Sequence, residues 1–167
     1  MMKSKSRIPN PLRSMFTMTI LFLAFSFGCN PVEQSPIVGA WQLDHVKFIA
    51  GDTLYLEAPG TVSVDQIKLW SASHFVFVGQ FVGDTSIMDD FGLDTTVMDS
   101  YGGGTYTLEG NSYEEHIEFH TDPGSVGNTV KMLVEISNDT LVQTWPVDEN
   151  GKVDSANYRI ERYIRLD

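Results

Sequence analysis

The chain has 167 residues, 42% of them hydrophobic, a single cysteine and a formal net charge of −11. That hydrophobic share is enough for one packed domain and argues against disorder, while a lone cysteine excludes an intrachain disulfide framework. Lys3, Lys5, Arg7 and Arg13 all precede residue 14, so the remainder carries seven bases against 22 acids, a surface that repels phosphate backbones and anionic lipid headgroups and argues against nucleic-acid binding.

The N-terminus reads as an export signal. A basic stretch precedes an apolar run from Met15 to Phe27, shorter than the roughly 20 residues that span a bilayer. The run ends in "SFGC", which resembles a bacterial lipoprotein signal: cleavage after Gly28 would free Cys29 for lipidation. Residues 1–28 are thus assigned as signal peptide and 29–36 as a lipidated cysteine with a short proline-bounded tether. Acyl chains at Cys29 would anchor the protein to a membrane, each buried methylene adding about 0.8 kcal/mol.

The domain is expected over residues 37–167. From Pro36 onward almost every segment alternates with period two between turn residues. Strands are predicted near Ile37–Ile49, Asp65–Trp70, His74–Val82, Gly103–Glu109, Ser112–Thr121, Asn128–Ser137, Asp139–Val147 and Asn157–Leu166. The turns "EGNS", "TDPGSVGN" and "SNDT" carry the usual Gly, Asn, Asp and Pro. About eight strands in an all-β chain, joined mostly by short hairpins, predict an up-and-down antiparallel barrel, with a two-sheet sandwich as the alternative. One connection differs. "GDTSIMDDFGLDTTVMDSYGG" holds five aspartates, and no lysine or arginine occurs between Lys68 and Lys131. Its aspartates lack the every-second-residue spacing of a calcium loop, so it is read as a solvated acidic lid over the barrel mouth.

"SYEEHIEFH" places Tyr113, Glu115, Ile117 and Phe119 on one face and Glu114, His116, Glu118 and His120 on the other. The apolar face is expected to be the inner one, which turns both histidines to solvent. Four apart on a strand, they stand about 13 Å from each other, too far to share one zinc ion, so no metal site is assigned. Gly102, Gly103 and Gly104 lack the strand–loop–helix context of a phosphate loop and suit a bulge or kink at a barrel corner. Glu115 is the conspicuous acid of the inner face. Three readings stay open for it: an ion pair with Arg162 or another interior cation, a ligand contact in a polar cavity, or a general base. His74 heads "HFVFVGQF", where it reads as a turn histidine.

"VGAWQL" resembles the Gly-x-Trp opening of lipocalin-like, or calycin, barrels. With "IKLWSASHFVFV", the glycine-rich segment and the closing "IERYIRL", the chain from Ile37 to Leu166 resembles a group of small lipocalin-like bacterial lipoproteins of uncharacterised function, of the Bacteroidetes type. In lipocalins an arginine of the last strand covers the tryptophan of the first. Alternation places Arg162 on the face of Tyr158, Ile160, Ile164 and Leu166, so the expected closure is Gly39, Trp41 and Arg162.

These observations predict a lipid-anchored protein of the bacterial envelope, at the outer membrane, whose barrel holds a small, mainly apolar ligand. Glu115, Tyr113, His74 and Tyr106 are the candidate contacts. The alternative is a structural or protein-interaction lipoprotein with a filled barrel. No nucleophile–base–orienter set and no cofactor motif is present, so neither an enzyme nor a cofactor is assigned.

Overall fold

The computed structural model describes residues 35–83 and 97–167. The export segment with Cys29 and most of the acidic connection lie outside them. The described chain is all β apart from a single 3-10 turn at Pro123–Ser125. Its strands are β1 (Gly39–Ala50), β2 (Thr53–Ala58), β3 (Ser63–Trp70), β4 (His74–Val82), β5 (Val97–Glu109), β6 (Ser112–His120), β7 (Thr129–Ser137), β8 (Thr140–Trp145) and β9 (Asn157–Arg165). From β3 onward each strand pairs antiparallel with the next, and β9 returns to β1 along Trp41–Ala50. The sheet therefore closes into a barrel and not a sandwich, which removes the edges of β1 and β3 to β9, while β2 pairs with β1 alone among the described strands.

β2 was not foreseen. β1 pairs first with β3, at Gly39–Gln42, and further along with β2, at Val46–Ala50. β2 and β3 run in the same direction along one flank of β1, so one position of the eight-stranded ring is built from two pieces. "TLYLEAPG" hid this because Leu54 and Tyr55 on its outer part are half exposed, and Pro59 and Gly60 make the segment read as a loop. β5 also begins earlier than expected, at Val97. Residues 97–101 belong to a strand paired with β4, not to the lid.

The two ends of the barrel differ. At one end β3–β4, β5–β6 and β7–β8 turn through Ser71–Ser73, Gly110–Asn111 and Asn138–Asp139. The hydrophobic core gathers there: Trp41, Trp70, Phe75, Tyr106, Tyr113, Leu141 and Tyr163 are all buried. At the opposite end β4 stops at Val82 and β5 starts at Val97, and the connections 121–128 and 146–156 lie there. There the side chains on the inner face, Phe48, Phe77, Phe81, Met98, Trp145 and Arg159, are half-buried. The barrel is thus a cup with a packed floor and a looser mouth half, where Phe48 and Phe81 pack against a smaller buried cluster of Val46, Leu56, Ala58 and Val62.

Gly102–Gly104 hold the wall together. A methyl group on Gly102 would meet Phe77 and His120 at 2.8 Å, and one on Gly103 would meet the ring of Phe119 at 2.6 Å. At Gly104 it would stand 1.9 Å from the His116 carbonyl oxygen, beside a register shift between β5 and β6. The expected bulge is present. It also reverses the alternation after Ile117. Phe119 lies outside, half exposed, and His120 turns inward against Phe77 with ring centroids 5.7 Å apart. The expectation that Phe119 is inner and His120 outer fails there for that reason, whereas His116 is exposed as predicted and meets Thr129 at 2.8 Å.

Candidate functional site

The floor of the cup is a buried polar network. Alternation along β3 sends Gln66, Lys68 and Trp70 inward, and along β6 it sends Tyr113 and Glu115 inward. Lys68 and Glu115, with side chains only 4% exposed, meet at 2.5 Å. Tyr113 donates its hydroxyl to the same Glu115 oxygen at 2.8 Å and accepts from Trp70 Nε1 at 2.7 Å. The ammonium also donates to Gln143 Oε1 at 3.4 Å and lies over the rings of Trp70 and Phe75, at 5.0 and 5.1 Å. A second chain runs from Gln66 Nε2 to the Tyr163 hydroxyl, which donates to Glu161 at 2.8 Å. Burial, and next the Glu115 charge, push Tyr113 far above the ordinary tyrosine range. Burial and Glu161 do the same to Tyr163.

Of the three readings left open for Glu115, the ion pair is the one present, and its cation is Lys68 rather than Arg162. Two buried charges compensate each other, and their remaining hydrogen-bond capacity is largely met by neighbouring side chains, the condition under which a buried pair is tolerated. The Gln143 amide nitrogen stays buried without a partner.

The closure of the floor also uses a different arginine. Arg162 points outward, half exposed, with Nε donating to Asp44 at 2.8 Å. Arg165 covers the Trp41 ring, 4.1 Å from its centroid, and donates to the carbonyls of Val38 and Pro36 at 3.0 and 2.6 Å. Trp41 Nε1 donates to the Ile37 carbonyl at 2.9 Å. The Arg162 assignment fails because the inner face of β9 is the polar one, with Arg159, Glu161 and Tyr163. The apolar Ile164 and Leu166 are outside and exposed.

The candidate contacts are thus divided. Tyr113 and Glu115 lie together in the floor, with Tyr106 packed on Tyr113 at 5.5 Å. Tyr106 donates its hydroxyl to the Ser71 carbonyl at 2.7 Å, which fixes the turn after β3. His74 is exposed in that same turn, bonded to Ser73 at 2.8 Å, on the far side from the mouth. Sequence reasoning missed Lys68, Gln143 and Arg159. The signal for Lys68 was available in "DQIKLW", where alternation aligns the lysine with Trp70.

At the mouth, Arg159 lies over the rings of Phe48 and Trp145, 4.3 Å from each centroid. A cavity of about 520 Å³ opens beside it, lined by Phe48, Ile49, Tyr55, Trp145 and Tyr158 among others. A second, of about 440 Å³, is a groove near the floor between Leu69, Val76 and Phe119. Among the described residues no three His, Cys, Asp or Glu side chains are grouped to hold a metal.

The chain matches no known family model. No curated protein matches it either.

Proposed function

We propose that this protein is an exported lipoprotein, anchored through Cys29 to the bacterial envelope, whose lipocalin-like barrel binds a small, mainly apolar molecule in its open half. The observation that carries the reading is the contrast between the ends. Inward-facing aromatics are buried at the floor and half-buried at the mouth. Mouths of barrels are common sites for apolar ligands, and half-buried Phe48, Phe77, Phe81 and Trp145 would gain burial from one. Glu115 and Tyr113 belong to the floor beneath such a ligand, while His74 and Tyr106 serve the turns under it.

The buried Lys68–Glu115–Gln143 set favours the second reading, a filled structural or interaction barrel, for the half it occupies. Thermal melts with a panel of fatty acids, sterols and aromatic probes decide between the two. A ligand at 100 times its Kd adds about 2.7 kcal/mol, so at least one compound is expected to raise Tm by several degrees. A panel that leaves the melt unmoved would favour the filled scaffold.

A further inference from the structure

One part of the outer wall is apolar. Leu69 of β3, Val76 of β4, Gly103 of β5 and Phe119 of β6 are successive cross-strand neighbours, and Ile67, Val78 and Tyr101 form the row above them. None of these side chains is charged, and Leu69, Val76, Val78, Tyr101 and Phe119 are 37–60% exposed. The groove of about 440 Å³ runs along the lower row. Acids stand around the patch and not in it. Asp65 and Asp99 occupy the next row, where they accept from Gln42 and Gln80 at 3.0 and 2.8 Å, and Glu118 and Asp167 flank the groove. Single apolar residues on a surface are ordinary, but a contiguous uncharged patch with a polar rim marks a place of contact.

The chain that leads back to Cys29 leaves the barrel beside this patch. Gly39 and Ala40 border the groove, and Arg165 holds the carbonyls of Pro36 and Val38 next to them. Ser35, where the described chain begins, is six positions after Cys29, a span of at most about 20 Å.

We propose that this patch rests against the bilayer in which Cys29 is anchored, with Leu69, Val76, Val78, Tyr101 and Phe119 at the boundary between headgroups and acyl chains. This rests on the lipid-anchor reading above and deepens it by assigning the wall that faces the membrane. Two observations favour lipid over a second copy of the chain. At standard strand spacings the rows from β3 to β6 span about 20 Å by about 7 Å, far short of the roughly 800 Å² that each partner gives to a stable protein interface. An anchored protein needs no such area, because a short tether already holds the patch beside the membrane at high effective concentration. The rim is also acidic, so a second copy would bring like charges together. The same rim selects a membrane of neutral headgroups.

The test uses the full chain, acylated by the cell that makes it and reconstituted into phosphatidylcholine vesicles containing a nitroxide-bearing phosphatidylcholine. Acylation consumes the one native thiol, so Val76→Cys or Glu135→Cys supplies a single site for an environment-sensitive fluorophore. Glu135 is exposed on β7, three strands further round the ring and as far from its floor turn as Val76 is. The expected result is that the label at position 76 is quenched and shifted to the blue, and that the label at position 135 is neither. Leu69→Glu with Phe119→Glu is expected to abolish quenching at position 76 while acylation and vesicle partition persist. Leu69→Gln alone, expected to reduce it, covers the case in which the double variant folds poorly. Added phosphatidylglycerol is expected to weaken the quenching, because the acidic rim is repelled. Equal quenching at both positions, none at either, or quenching that survives both variants would overturn the assigned wall and leave the anchor standing. A dimer that shields position 76 from lipid would do the same and give the patch to a second copy. A mass without acyl chains would overturn the anchor and this inference together.

Discussion

Glu115 and Lys68 are the residues on which the interior depends most. Removing one charge of a buried pair leaves the other uncompensated, at a cost of about 3–5 kcal/mol. Glu115→Gln is therefore expected to lower stability by about that amount in chemical denaturation, and Lys68→Met with Glu115→Leu together to lose much less than the two single changes combined. The buried tyrosines give a second expectation. Tyr113 and Tyr163 have pKa values raised by burial and by neighbouring carboxylates. Their protonated forms favour the folded state fully below the unfolded tyrosine value of about 10, and that stability is lost as the pH climbs above it, because the unfolded chain releases protons that the folded one retains. The slope from each is up to about 1.4 kcal/mol per pH unit. Denaturation followed from pH 8 to 11 should steepen above pH 10 for the wild type and less so for Tyr113→Phe. Glu115 was legible at this scale because it is an acid among Tyr113 and Ile117. Its partner was not, since β3 and β6 do not pair and their side chains meet only across the closed barrel, which neither strand's sequence records.

Among the elements, β9 shows where alternation informs and where it misleads. The period of two was correct, but the choice of inner face rested on apolarity, and β9 turns Arg159 and Glu161 to the interior with Ile164 and Leu166 outside. A face is selected by what it meets, and here Trp41 and Tyr163 close one end while Arg159 lies over the rings of Phe48 and Trp145 at the other. The consequence is measurable. Arg165→Ala should cost about 1–3 kcal/mol, since it removes the stack on Trp41 and two bonds to the N-terminal carbonyls. Arg162→Ala, which breaks an exposed pair with Asp44, should cost under about 1 kcal/mol. The glycine segment of β5 makes a sharper claim. Gly104→Ala should destabilise by about 3 kcal/mol or more, because its Cβ would stand 1.9 Å from a backbone oxygen of β6 that cannot move without breaking the bulge. The sequence indicated a bulge there, but not that it would carry Phe119 to the outside and His120 to the inside, since an alternation read along one strand has no knowledge of an inserted residue.

For the whole molecule, the fold class followed from period-two runs punctuated by turns, and the eight-stranded ring closed as that pattern implied. The split position made by β2 and β3 did not follow, because an interrupted strand reads as a loop. The cup shape, with short turns at the floor and long connections at the mouth, was partly legible from the unequal connection lengths. The site within it was not, because Arg159 becomes conspicuous only when its neighbours in space turn out to be rings instead of acids. The address belongs to this scale too: Cys29→Ala is expected to abolish lipoprotein processing and shift the protein out of the membrane fraction, and unchanged mass and partition would contradict the lipid anchor. The open half of the barrel is the central claim, and amide chemical-shift mapping during titration with an apolar probe tests it most directly. Perturbations are predicted to gather at Phe48, Phe77, Phe81, Trp145 and Arg159 around the mouth, with Trp70 and Tyr106 at the floor unmoved. Shifts confined to the floor or scattered over the outer face, or none at saturating probe, would contradict it.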